Sequence, residues 1–174
     1  MSPNTTIGVD FGTTNSGAAV VVDGRVCALA IDPKNKTPTV MRSLLYITRE
    51  HEILAGRAAL DAYYEQNIGR PSRMVRQWVG EIDFIAGEMA YVRDVHVMVD
   101  ELSPGRLLRS LKSSLATSYE GTTIFGRYYS LEELIAVYLS ALREQAEKGL
   151  GQRIESVVLG RPVHFVGSSS TGAE

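Results

Sequence analysis

The segment Ile7-Gly8-Val9-Asp10-Phe11-Gly12-Thr13-Thr14-Asn15-Ser16-Gly17 constrains this chain more than any other. Ile7 to Phe11 reads as an apolar strand that delivers one carboxylate, Asp10, to its end. A polar turn follows, and apolar residues resume from Ala18 to Val22. Asp23-Gly24 then separates that run from Val26 to Ile31, and Asp-Gly suits a type I′ hairpin turn. A three-strand meander is therefore expected at the start of the chain.

The first turn carries the chemistry. Consecutive backbone N–H groups in a tight glycine turn form an anion-binding concavity. The hydroxyls of Thr13 and Thr14 add donors for phosphate oxygens. A nearby carboxylate, Asp10, can hold Mg²⁺ through water, and the metal neutralises phosphate charge. The bland alternative is a plain hairpin with a polar turn. The order strand, Asp, Gly, two Thr, Ser, strand is restrictive enough to favour the phosphate reading.

Composition bounds the class. The chain has 174 residues, 44% apolar and 22% charged, which is ordinary for one globular domain. Its formal net charge is −2, which argues against a nucleic-acid binder. The single cysteine, Cys27, excludes an internal disulfide or a cysteine-only zinc site. No apolar run approaches the roughly 20 residues of a membrane helix, and the N-terminus lacks a signal pattern. A soluble, cytoplasmic α/β protein is expected, with no membrane partner.

Residues 32–38 read as a loop, 39–47 as a strand and 53–55 as a short strand. Arg57 to Gln66 looks helical, 72–90 is ambiguous, and 91–99 alternates like a strand. Ser103-Pro104 predicts a helix start, with Leu107, Leu108, Leu111 and Leu115 at helical spacing. Ser130 and Glu133 fit a capping box ahead of a helix that reaches Lys148 and ends at Gly149. Val157-Val158-Leu159 predicts a short buried strand, followed by Gly160-Arg161-Pro162.

Two segments carry a family resemblance. Ile7 to Ser16 resembles the first phosphate motif of the heat-shock protein 70 chaperones, whose superfamily includes actin and the sugar kinases. Val157-Val158-Leu159-Gly160-Arg161-Pro162-Val163-His164-Phe165 is similar to the strand-and-proline segment after that family's long helix. Its Gly-Arg-Pro form looks like a divergent bacterial branch. The two motifs bracket nearly all of the chain.

The resemblance implies an α/β fold, the first lobe of an actin-like ATPase with a ribonuclease H-like motif. Residues 1–32 and 105–174 would form the phosphate-binding core, and 33–104 an inserted subdomain. The second lobe and the substrate-binding domain would lie beyond residue 174, making this chain a fragment. The intact protein is expected to be a chaperone that binds ATP/ADP with Mg²⁺ and hydrolyses ATP. Unfolded clients and co-chaperones would engage the absent domains, and the fragment alone would be inactive.

By the same resemblance Asp10 would hold Mg²⁺ through water, while Gly12, Thr13, Thr14 and Asn15 cradle the phosphates. Lys112 is the candidate for the family's catalytic lysine. Arg76, in Met74-Val75-Arg76-Gln77-Trp78, imitates the local pattern and competes with it. Pro162 would relay nucleotide state to the substrate domain, or else simply end a strand. Arg161 stands where the housekeeping chaperones carry an apolar residue. A sugar- or acetate-kinase-like phosphotransferase and a non-catalytic actin-like scaffold are the alternatives.

Other residues receive ordinary readings. His51, His96 and His164 show no metal-ligand spacing. Cys27 is expected in the core and Trp78 as a packing anchor. Arg70, Arg73 and Arg76 read as a solvated face, and Tyr63-Tyr64 and Tyr128-Tyr129 as cover for apolar surface.

Overall fold

The computed structural model describes residues 5–86 and 89–160, and of 79–95 only the backbone. The chain divides into two units, residues 1–65 with 105–174, and residues 66–104.

The first unit opens with the expected meander of β1 (Thr6–Phe11), β2 (Asn15–Val22) and β3 (Arg25–Ala28). Asp23 and Gly24 have φ of 50° and 74°, the two positive values a type I′ turn needs. Cys27 lies on β3 and is exposed, against the core position expected of it. β3 ends the sheet, so its outer edge has no neighbouring strand among the described residues.

The strand expected over 39–47 is two strands broken at Ser43. β4 (Val40–Arg42) pairs with β2, and β5 (Leu44–Thr48) joins another sheet with β6 (Ile53–Ala55). Helix α1 (Gly56–Asn67) follows directly. Gly56 adopts φ 62°, and a Cβ there would sit 2.7 Å from the Asp32 carboxylate and 2.9 Å from Met41. Only glycine fits that corner.

In the second unit β7 (Met74–Ala86) and β8 (Met89–Asp100) form a long antiparallel ribbon with a bulge between Trp78 and Gly80. Trp78 is 55% exposed, so it does not anchor packing as expected. Trp78 pairs across the ribbon with His96, and that sheet has no third strand among the described residues. Arg73 and Arg76 are exposed, as their spacing implied, while Arg70 is half-buried. Arg70 bonds Asp100 at 2.5 Å, and Arg73 pairs with Glu101.

The helix expected from Ser103-Pro104 is instead a strand, β9 (Gly105–Arg109), antiparallel to β5. Leu107 and Leu108 face Tyr46 and Leu45, and this cross-strand pairing outweighs the helical spacing of the leucines. Helical backbone is confined to α2 (Leu111–Ser114), after Ser110 in the left-handed region at φ 60°. The hairpin β10 (Gly121–Ile124) and β11 (Arg127–Ser130) leads into α3 (Leu131–Leu150).

Ser130 caps α3 by accepting the Glu133 N–H at 3.0 Å. The Glu133 carboxylate bonds Arg127, so only half of the capping box forms. The helix passes Gly149 and stops at Gly151, whose φ of 67° and N–H bond to Glu147 close it. Leu134, Tyr138, Leu142 and Ala146 recur every four residues and are buried in the core beside Ile7, Val9 and Phe11. Each of the two buried leucines contributes about 1.5–3 kcal/mol.

Finally β12 (Ser156–Leu159) pairs in parallel with β1, Ile7 opposite Val157. The sheet order is β12-β1-β2-β3, with β4 also on β2. β12 is not buried as expected: Val157, Val158 and Leu159 are 49%, 67% and 44% exposed. It is the last strand on its side among the described residues, so its outer side lacks cover from the sheet.

Candidate functional site

Alternation along β1 places the candidate site. Ile7, Val9 and Phe11 are buried, while Gly8 and Asp10 project to the opposite, exposed face. That face is built from small residues. Gly8, Asp10, Gly17, Ala19, Thr39 and Gly160 line an open depression of about 480 Å³. The strand end therefore presents a carboxylate above accessible backbone.

The turn after β1 is tight. Its last flanking pairs are Asp10 with Gly17 and Phe11 with Ser16. A Cβ on Gly12 would overlap the Asn15 carbonyl oxygen, so the chain doubles back only with glycine there. Thr13, Thr14 and Asn15 are all exposed. Asp10, Gly12, Thr13, Thr14 and Asn15 thus come together at one strand end. Exposed hydroxyls and an uncrowded turn backbone fit a phosphate. Among the described residues no group of three His, Cys, Asp or Glu could hold a metal. One carboxylate suits Mg²⁺ held through water rather than in an all-protein cage.

Lys112 is the second residue of α2 and is half-buried. Its rival Arg76 is exposed on β7, in the other unit, with Nη2 3.3 Å from His96 Nδ1. Pro162, with Arg161 and His164, lies outside the described residues.

Sequence reasoning missed the residues beneath the turn. Ser43, 2% exposed, donates its hydroxyl to the Gly12 carbonyl at 2.8 Å and its N–H to the Thr14 carbonyl at 2.9 Å. Ser16 Oγ lies 3.1 Å from Ser43 Oγ. Because Ser43 spends its one proton on Gly12, Ser16 donates in that pair. Tyr138, fully buried, donates to the Met41 carbonyl at 3.4 Å and stacks near Phe11, with ring centroids 5.6 Å apart. Burial pushes the Tyr138 phenol up from its ordinary range, the Ser16 and Ser43 hydroxyls pull it down, and the Asp32 charge raises it. The available signal was Ser43 itself, a small polar residue that with Arg42 interrupts the otherwise apolar stretch from Val40 to Ile47.

Asp32 is also buried, at 6% exposure, and accepts the Arg57 N–H at the start of α1 at 2.8 Å. Burial raises its carboxyl above the usual range, partly offset by the Arg57 N–H and guanidinium. On the other face of β1 a groove of about 400 Å³ runs along α3. Its lining is apolar apart from Ser140 and Arg143, which gives it none of the turn's chemistry.

No known family model matches the chain. It is similar to the chaperone protein DnaK of Picrophilus torridus, 25% identical over 166 residues, covering 91% of this chain and 20% of that relative. The chain thus spans about a fifth of the relative's length. That likeness supports a distant relationship to the heat-shock protein 70 chaperones. The mixed α/β architecture with several sheets is compatible with a lobe of their ATPase domain. No helix among the described residues is long and apolar enough to cross a membrane.

Proposed function

We propose that this chain is the first lobe of an actin-like nucleotide-binding domain in a heat-shock protein 70-like chaperone. One observation carries the reading. The glycine turn with exposed Thr13, Thr14 and Asn15 stands at the end of the strand bearing Asp10, in a chain 25% identical to a DnaK. Gly12 through Asn15 take the β- and γ-phosphates of ATP or ADP, through backbone N–H groups and hydroxyls. Asp10 orients the water shell of Mg²⁺. The ion, when bound, neutralises phosphate charge.

Lys112 serves as the cation directed at the γ-phosphate, in preference to Arg76. Phosphoryl transfer depends mainly on positioning and charge stabilisation, and a single well-placed cation suits it. Pro162 relays nucleotide state. Residues 1–32 and 105–174 act as the phosphate-binding core and 33–104 as an inserted subdomain. A second lobe closes the cleft and a separate domain takes unfolded clients, assisted by co-chaperones. This lobe alone turns over little ATP.

Calorimetric titration of Mg-ADP and Mg-ATP tests the reading, with Asp10→Ala and Thr13→Ala as controls. Weak binding to the wild type that either substitution abolishes supports it. Binding indifferent to both substitutions overturns it.

A further inference from the structure

Ser43 belongs to no part of the strand–turn–strand motif, yet it contacts the turn twice. Its hydroxyl bonds the Gly12 carbonyl and its N–H the Thr14 carbonyl. Each carbonyl shares a peptide plane with the next residue's N–H, and in a trans peptide the two point in opposite directions. No peptide bond in the described structure is cis. Pinning the Gly12 carbonyl inward therefore turns the Thr13 N–H outward. Pinning the Thr14 carbonyl does the same for the Asn15 N–H. Anion-binding turns require this arrangement, with donors facing the ligand and carbonyls facing away.

We infer that Ser43 is a positioning residue for the phosphate turn, holding two of its peptide planes with their N–H groups towards the ligand. The inference rests on the phosphate reading given above. Ser43 lies between β4 and β5, so the break between those strands places it at the turn. Ser16 donates to its hydroxyl from one side, and Tyr138 fills the core beneath. A rigid buried seat lets one hydroxyl fix the turn before any ligand arrives, so ordering it then costs little.

The test uses the 174-residue chain with Mg-pyrophosphate, which needs the turn and no adenosine pocket. Ser43→Cys keeps the side-chain shape with a far weaker donor, and Ser43→Ala removes the group. Ser130→Ala removes the cap of α3, a stabilising bond outside the turn. Losing one hydrogen bond of this kind should weaken Mg-pyrophosphate binding about tenfold in both Ser43 variants. Ser130→Ala should lower the thermal midpoint and leave affinity unchanged. Amide hydrogen exchange, read without ligand, should quicken in residues 12–15 of Ser43→Cys and stay level in α3.

Unchanged affinity and exchange in folded Ser43→Cys overturn the inference. Equal affinity losses in Ser43→Cys and Ser130→Ala also overturn it, because they mark general loosening. If the wild type binds neither pyrophosphate nor Mg-ADP, the nucleotide reading fails. The exchange result then decides the role of Ser43 by itself.

Discussion

At the scale of single residues, burial and close approach make opposite demands at Asp32 and Gly12. The Asp32 carboxyl titrates above its unfolded value because it is buried, so the native state holds its proton more tightly than the unfolded chain does. Stability from that difference is fully present below the unfolded carboxylate range and is lost as pH rises through the native value. Asp32→Asn keeps an acceptor for the Arg57 N–H and removes the charge. Urea melts should show its stability gaining on the wild type as pH rises from the unfolded carboxylate range through the native value, then holding level. A difference that shrinks with rising pH would mean that the ionised form is favoured in the fold. At Gly12 the limit is space. Gly12→Ala forces the Asn15 carbonyl to move, so Mg-pyrophosphate affinity should fall at least about tenfold. The α3 helical signal in circular dichroism should persist, because the change is confined to an exposed turn.

At the scale of elements, local chemistry was legible and non-local pairing was not. The meander could be read because Asp23-Gly24 and the Gly12 turn each fix their own geometry. The capped start of α3 was legible for the same reason, since Ser130 needs only the N–H of Glu133. Ser130→Ala should cost about 1 kcal/mol in urea unfolding. A cost near zero would show that Leu131 and Leu134 set the helix start by packing alone. The strand β9 was illegible because its partner, β5, lies some sixty residues earlier, as in the pairing of Leu44 with Arg109. The exposure of Cys27, Trp78 and β12 was hidden for a related reason. Apolar content marks a residue fit for burial, but the neighbouring layer decides whether burial happens. Of the candidate site, Asp10 and Gly12 through Asn15 could be read as one contiguous motif. Ser43 could not, because its link to Gly12 spans 31 positions.

At the scale of the whole molecule, the two units differ in what holds them. Among the described residues β7 and β8 pair only with each other, whereas β9 returns to β5 in the first unit. Two-stranded ribbons are marginal alone, so the base of this one relies on polar ties. Asp100 supplies several. It bonds the Arg70 guanidinium and accepts the Arg73 and Leu102 N–H groups. Those bonds, the Arg70 one foremost, hold its carboxyl below the usual range. Their stabilisation is present above the unfolded carboxylate value and fades as pH falls through the native one. The ribbon base should therefore loosen in acid before the first unit melts, read as faster amide exchange over 70–75 than over 134–146. Replacing residues 70–100 with a short Gly-Ser turn removes the ribbon and leaves all three sheets of the first unit with every strand partner. Shortening a connection changes closure entropy by only about 0.6 kcal/mol per twofold change in length. The shortened chain should unfold cooperatively with Mg-pyrophosphate affinity within about threefold of the wild type. Loss of cooperative unfolding would instead make the ribbon part of the scaffold that carries the Asp10 turn.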